Sequence, residues 1–399
     1  MSEWKKVKLG DILEIKHGFA FSGDHIIEDD NNIVLVTPGN IKIGGGFQER
    51  KCKFFDGEIP QDYILNGGDF IVTMTDLSKT IDTLGYSAYV PESNKRRYLH
   101  NQRIGLVTFK NDECDRGYIY WLMRTRAYQR SIANTSTGST VHHTSPSKIY
   151  DYECIVPERS TQHRIANILS RYDSLIENYQ KQIKLLEEAA QRLYKEWFVD
   201  LHFPGHENTK IVDGVPEGWE KKKLVDMVDV QYGYAFDGKL FNSNSEGMPI
   251  LRIRNIPDGI TSDYTTEEAQ DCYIVHNGDI VVGMDGIFHI NSWSGGDAYL
   301  VQRACSFRPK EECMKGFIFQ AIQEPIKFFE KTLVGATVAH LGKKHIDSIE
   351  LCVPNSMELF GSFSKQYEQR QKLLSQIRLL TEARDRLLPK LMSGEIKVS

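Results

Sequence analysis

The sequence predicts a mixed α/β (α+β) protein built twice over. Two repeated domains are joined by two long antiparallel coiled-coil helices, in a pseudo-two-fold arrangement. Three observations predict it. The opening stretch recurs half a chain later at constant separation, each copy begins with short apolar runs punctuated by Gly, Asn and Asp, and each copy then passes into a segment with a helical apolar seam.

The repeat is read directly. "WKKVKLGDILEIKHGFAF" (Trp4–Phe21) returns as "WEKKKLVDMVDVQYGYAF" (Trp219–Phe236), with 219 − 4 = 215 and 236 − 21 = 215. "GNI" at Gly39–Ile41 matches "RNI" at Arg254–Ile256, and "NGGDFIVTM" (Asn66–Met74) matches "HNGDIVVGM" (His276–Met284). "NQR" (Asn101–Arg103) matches "VQR" (Val301–Arg303), "GSTVHHTSPSKI" (Gly138–Ile149) matches "GATVAHLGKKHI" (Gly335–Ile346), and "QIKLLEEAAQRL" (Gln182–Leu193) matches "QIRLLTEARDRL" (Gln376–Leu387). Order is kept while the offset falls from 215 through 210, 200 and 197 to 194, for example 276 − 66 = 210 and 376 − 182 = 194. That is a duplication with deletions in the second copy. Its period is too long for a solenoid, so each copy is one domain with one helix.

Within a copy, "NIVLVTPGNI", "GDFIVTM" and "IGLVTF" read as strands separated by turns. "GYIYWLMRTRAYQRSIA" (Gly117–Ala133) reads as one helix among them. The expected boundaries are 1–158 for the first domain, 159–202 for the central helix, 203–218 for a linker, 219–355 for the second domain and 356–399 for the C-terminal helix.

From Thr161 to Trp197 there is no Gly or Pro. Ile165, Leu169, Tyr172, Ile176, Tyr179, Ile183, Leu186, Ala190, Leu193 and Trp197 alternate spacings of 4 and 3, the seam of a coiled coil. The second helix is less regular: Phe363, Leu373, Ile377, Leu380, Leu387 and Leu391 keep the seam, while Gln366, Arg370 and Arg384 interrupt it. Arg384 stands where the first helix has Ala190, so an arginine lying beside an alanine-sized gap is expected between antiparallel helices. Two similar surfaces at fixed separation suit duplex DNA, whose half-sites lie about 34 Å apart per turn.

Composition narrows the class. At 40% hydrophobic and 26% charged residues the chain reads as globular, and no apolar run is long enough to span a bilayer or serve as a leader, so cytoplasm is the expectation. Seven dispersed cysteines form no C-x-x-C pair, which points to free thiols. No "NPP" loop of an adenine methyltransferase occurs, and a phosphate loop ending at Lys343 fails because Thr337 stands where glycine is required. Glu14 and Lys16 near Asp11 mimic a nuclease signature, but the second copy has Asp229 and Gln231 there. His142, His143 and His340 have no carboxylate or cysteine at ligand spacing, so no metal is expected. The net charge of −5 is unusual for a nucleic-acid binder and favours, as the alternative, a two-domain protein-interaction scaffold that never touches bases.

The order "W…KLGDI…G…F", "GNI", "NGGD", "GST…I…VP", then "QHRIANILSRYDSLIENYQKQIKLLEEAAQRLYKEWF" resembles the specificity subunits of type I restriction–modification systems along essentially the whole chain. "VPERSTQHRIANILSRYDSLI" is the most family-like stretch, whereas "VPNSMELFGSFSKQYEQRQKLL" departs from the usual Gln–Arg-like start. The resemblance implies two target-recognition domains, each reading one short half of a split sequence in double-stranded DNA. It implies a helical spacer that docks two modification (methyltransferase) subunits, with two restriction subunits completing the nuclease. It also implies that this chain is non-catalytic and binds no cofactor, S-adenosylmethionine residing on the modification subunits that methylate adenine.

Candidate DNA contacts follow from matched polar loops. "TPGNIK" supplies Thr37, Asn40 and Lys42, and "RIRNI" supplies Arg252, Arg254 and Asn255, since Arg suits guanine and Asn suits adenine. Ser78, Lys79 and Asp285 follow the Gly-Asp turns, and Arg103 and Arg303 hold matching places. The later loops add Ser139, Thr140, His142, His143, Thr337, His340, Lys343 and Lys344. Residues identical in both copies (Gly18 and Gly233, Asn40 and Asn255, Asp69 and Asp279) read as fold determinants. Readers of sequence should differ between copies, as Arg252 and Arg254 differ from Thr37 and Gly39.

Overall fold

The computed structural model describes residues 4–50, 52–78, 80–333 and 339–398. The chain divides into two compact units, Met1–Ser174 with Thr381–Ser399, and Leu175–Leu380. Each unit therefore holds one domain and a part of both long helices.

In the first unit, a five-stranded sheet has the order Ile26–Ile27, Lys53–Phe55, Ile33–Val36, Arg97–His100, Ile64–Leu65. Its one parallel pairing sets Ile33 beside Arg97 and Val36 beside His100. A four-stranded antiparallel sheet has the order Leu13–His17, Ile104–Phe109, Phe70–Thr73, Ser87–Tyr89. Lys5–Lys8 pairs with Glu153–Val156 and brings the chain back towards the central helix.

The second unit repeats this wiring. Its five-stranded sheet runs Phe241–Asn242, Tyr264–Thr265, Met248–Leu251, Ala298–Leu300, Ile274–Val275, again with the third and fourth strands parallel. Its four-stranded sheet runs Val228–Tyr232, Ala304–Pro309, Ile280–Gly283, Ile290–Ser292, and Trp219–Lys223 pairs with Glu350–Pro354. Identical order and an equivalent parallel pair confirm the duplication read from sequence.

The residues kept in both copies build this frame. Asp69 accepts a hydrogen bond from the Asn66 amide at 2.8 Å, and Asp279 accepts one from the His276 amide at 3.1 Å, each folding the turn that starts a fully buried strand. Those strands, Phe70–Thr73 and Ile280–Gly283, are apolar on both faces because both faces are covered. A Cβ on Gly18 would lie 2.1 Å from the Asn101 carbonyl oxygen, and one on Gly233 would lie 2.2 Å from that of Val301. Only glycine lets those backbones approach so closely.

Each domain packs on the long helices through one aromatic-rich core. In the first unit Tyr118, Trp121 and Tyr128 pack with Ile165 and Leu169 of the central helix and Leu388 and Leu391 of the C-terminal helix. In the second, Phe317 packs with Phe198, Phe360, Phe363 and Tyr367.

Two expectations are corrected. The segment read as one helix at 117–133 is two, Arg116–Leu122 and Arg126–Asn134. Thr125 breaks it: its backbone is extended and its hydroxyl accepts from the Tyr128 amide, capping the second helix. Arg384 does not lie beside an alanine gap. It reaches Asp173 at 2.5 Å, because a guanidinium leaving water needs a carboxylate more than it needs space. The central α-helix spans Arg159–Tyr194 and ends in a π-type turn, Lys195–Val199, and the C-terminal helix spans Gly361–Met392. Among the described residues no helix is long and apolar enough to cross a membrane.

Candidate nucleic-acid interface

A polar cluster lies in the second unit, where three separate segments converge. Asp285 follows the strand Ile280–Gly283, Arg303 sits in the turn before Ala304–Pro309, and His340 approaches from beyond the helix Gln323–Thr332. Backbone hydrogen bonds set the arrangement: the Met284 amide donates to the Arg303 carbonyl at 2.8 Å and the Leu341 amide to the Met284 carbonyl at 2.7 Å. Asp285 accepts from His340 Nδ1 at 2.5 Å and pairs with Arg303 Nε at 3.2 Å. The group borders a shallow concavity of about 390 Å³, between Gly233, Gln302 and Met284. The carboxylate that spacing failed to place near His340 is thus Asp285, across a strand bridge.

The first unit builds the same frame with other side chains. The Met74 amide donates to the Arg103 carbonyl and the Thr144 amide to the Met74 carbonyl, both at 3.0 Å. His143 faces Thr75 at 3.2 Å, and Thr75 stands where the second copy has Asp285 (285 − 75 = 210). Arg103 is exposed, and its amide donates to the Asn101 side chain at 3.0 Å. Val301 offers no such acceptor, and Arg303 takes φ +75°. His142 is half-buried in the short strand opposite Asp76, whereas Ser139 and Thr140 are exposed on the loop before it.

Asp76 organises the adjoining loop. It accepts from the amides of Ser78 and Thr83 at 2.6 Å each and from the Thr83 hydroxyl at 2.7 Å. Burial opposes its ionisation, but these bonds outweigh burial and hold its carboxyl below the ordinary value. Ser78 is tied to Asp82 through its hydroxyl. Lys79 and Thr337 lie outside the described residues.

The "GNI" and "RNI" loops are committed to the fold more than expected. Asn40 is fully buried, so it does not reach solvent. Its Oδ1 accepts from the Thr37 amide at 2.8 Å, as Asn255 accepts from Arg252 at 2.9 Å. Both asparagines close a single 3₁₀ turn from within. Arg254 forms a two-point pair with Asp263 at 3.1 and 2.5 Å, and the Arg252 guanidinium lies 5.3 Å from the Phe241 ring centre. Thr37 is half-buried, whereas Lys42, Lys343 and Lys344 are exposed.

Helix–domain contacts carry buried charge. In the first unit Arg124, 4% exposed, donates to Asp173 at 2.6 Å, and the other Asp173 oxygen accepts from Arg384. Burial acts against the Asp173 charge, and the two guanidiniums reverse it, so its carboxyl lies below its usual range. In the second unit Arg370 is held by Glu187 at 2.6 Å, by Asn291 at 2.8 Å and by the Ser292 hydroxyl. There Glu187 meets Arg370 while Tyr194, seven residues on, meets Phe363, seven residues back, so the helices run antiparallel. Along the predicted seam, Ile165, Leu169, Ile176, Ile183 and Ala190 are buried, and Tyr172, Tyr179, Leu186, Leu193 and Trp197 are half-buried. Leu373 and Leu391 are buried, and Ile377, Leu380 and Leu387 half-buried.

Comparison with known proteins decides the family. The profile of the type I restriction modification DNA specificity domain matches residues 1–188 and again 216–377. The chain belongs to the type I restriction–modification specificity family. It is 26% identical over 308 residues to the type I restriction enzyme MjaIX specificity subunit of Methanocaldococcus jannaschii, covering 70% of this chain and 69% of that one. It is 21% identical to the HindI specificity subunit of Haemophilus influenzae, over 99% of this chain and all of the other. The fold matches the crystal structure of the type I restriction–modification S subunit from M. genitalium with a TM-score of 0.55, at 17% identity and 98% coverage. Two matches of one specificity-domain profile fall on the two repeated domains described above.

Sequence reasoning missed several site residues. Thr75 was findable, since the 210-residue offset already paired it with Asp285. Leu77 and Ile287 share that offset and are both more than half exposed on the loop next to the cluster. No local signal could have joined Asp173 to Arg384, which lie 211 residues apart.

Proposed function

We propose that this chain is the sequence-reading subunit of a type I restriction–modification complex, with each domain reading one half of an asymmetric two-part DNA site. The observation that carries the reading is one frame built twice with different side chains. The bonds joining residues 74, 103 and 144 recur at 284, 303 and 341, yet Thr75 becomes Asp285 and Asn101 becomes Val301. A duplicated catalyst would keep its chemistry; a duplicated reader changes its readers and keeps the fold.

The chain performs no catalysis itself. Two modification subunits supply S-adenosylmethionine and methylate adenine, two restriction subunits cut, and the long helices hold the former. Leu175, Leu185 and Leu379 support this docking, because each leaves much of its side chain in solvent on a helix that already has a buried face. The first domain has 19 basic and 20 acidic residues over 1–157, and the second 15 and 22 over 204–354, so much of the grip on phosphate falls to the partners.

That acidic balance also favours the alternative of a protein-binding scaffold. A mobility-shift assay on random-sequence duplex, with and without the modification subunit, separates the two. The DNA-reading function predicts selective binding by the complex that depends on this chain; a scaffold gives no such dependence.

A further inference from the structure

We propose that Arg303 is the guanine-reading side chain of the second domain, paired with Asp285, which His340 also engages. The inference rests on the DNA-reading function above and assigns one base contact within it.

Backbone comes first. Arg303 is one of few non-glycine residues at positive φ, +75°, a conformation that costs an L-residue and suits glycine. Its ion pair with Asp285 does not repay that cost, because its side chain is 68% exposed and exposed pairs contribute little to stability. Stability therefore does not explain an arginine at this position.

The side chain is posed for recognition. One oxygen of Asp285, which is 17% exposed, lies 3.2 Å from Arg303 Nε as an ion pair, while the other accepts from His340 Nδ1. The two terminal guanidinium nitrogens have no partner among the described residues. With Nε beside that carboxylate, the terminal nitrogens leave a two-donor edge of the planar guanidinium open. Guanine offers two acceptors, O6 and N7, on its major-groove edge, which such a fork matches; adenine offers one acceptor beside a donor, which it does not. The ion pair is specific to this copy. Arginine is common to both copies and the residue that differs is its neighbour: Thr75 replaces Asp285 in the first domain, so Arg103 has the same backbone anchor and, among the described residues, no carboxylate partner.

The test uses the full chain assembled with its modification subunit, selecting bound sequences from randomised duplex. The parent complex should specify a guanine in one half-site. Arg303→Gly should relax that position alone, by roughly 10- to 100-fold in discrimination. It should leave the other half-site unchanged and the melting temperature equal or higher, since glycine accepts the φ. Replacing that guanine by 7-deazaguanine should weaken the parent and leave Arg303→Gly unaffected. If Arg303→Gly retains every base preference, or weakens all sequences equally as a phosphate contact does, the assignment is overturned. If the parent complex selects no sequence at all, the DNA-reading function itself fails.

Discussion

Asp173→Ala tests the buried charge cluster of the first unit. The carboxylate holds Arg124 at 2.6 Å and Arg384 at 2.5 Å, one on each oxygen. Removing it leaves two guanidiniums roughly 6 Å apart, and 332/(20 × 6) gives about 3 kcal/mol of repulsion at an effective dielectric of 20. Breaking one partner of a buried pair costs ~3–5 kcal/mol, and the 22% exposure of Asp173 argues for the lower end. About 3 kcal/mol is expected on both counts. Hydrogen exchange read by peptide reports it locally: amides in Arg116–Leu122 and Arg126–Asn134 should open about a hundred-fold more often. Those in Lys315–Ala321 of the second unit serve as the unchanged control. Adding Arg384→Ala to Asp173→Ala should recover part of the loss by relieving the repulsion. A single variant within 0.5 kcal/mol of the parent, or a double variant worse than both singles combined, would refute this account of the cluster.

Further outcomes follow from the same contacts. Arg370→Ala removes a 7%-exposed hub from Glu187, Asn291 and Ser292, and should destabilise the second unit by about 3 kcal/mol, read as faster exchange in Ile290–Ser292. Asp76 and Asp173 have carboxyls held below their ordinary value of 3.8, so the stability they contribute is present above about that pH and is lost as pH falls through the lowered values. Acid titration should therefore loosen the first unit only below about pH 4; loosening near pH 6 would contradict it. Gly233→Ala forces a methyl to 2.2 Å from the Val301 carbonyl oxygen and should cost at least ~1–3 kcal/mol, measured by denaturant midpoint, as should Gly18→Ala in the first unit.

Much of this was legible because duplication turns one sequence into a comparison of two. Gly18 with Gly233, Asn40 with Asn255 and Asp69 with Asp279 stood out by identity, and each pair makes the same contact in its own copy. The helical seam was legible because a 3.5-residue period is a local property. What could not be read depends on distant pairing. Arg254 suits a base reader by type, and its pairing with Asp263 through Nε and one terminal nitrogen is not visible within its own loop. Arg384 looked like a gap filler because Asp173 is remote in sequence. The break at Thr125 hid in a run with no Gly or Pro between Tyr118 and Ala133, where a capping threonine is weaker in sequence than in space.

The measurement closest to the central claim is the methylation pattern directed by this chain with an insertion in its central helix. Four residues placed between Glu177 and Gln180 extend it by ~6 Å, about two base pairs of duplex. Two domains reading separate halves across a helical spacer predict both half-sequences unchanged with a longer gap between them. An unchanged gap with normal methylation contradicts that arrangement.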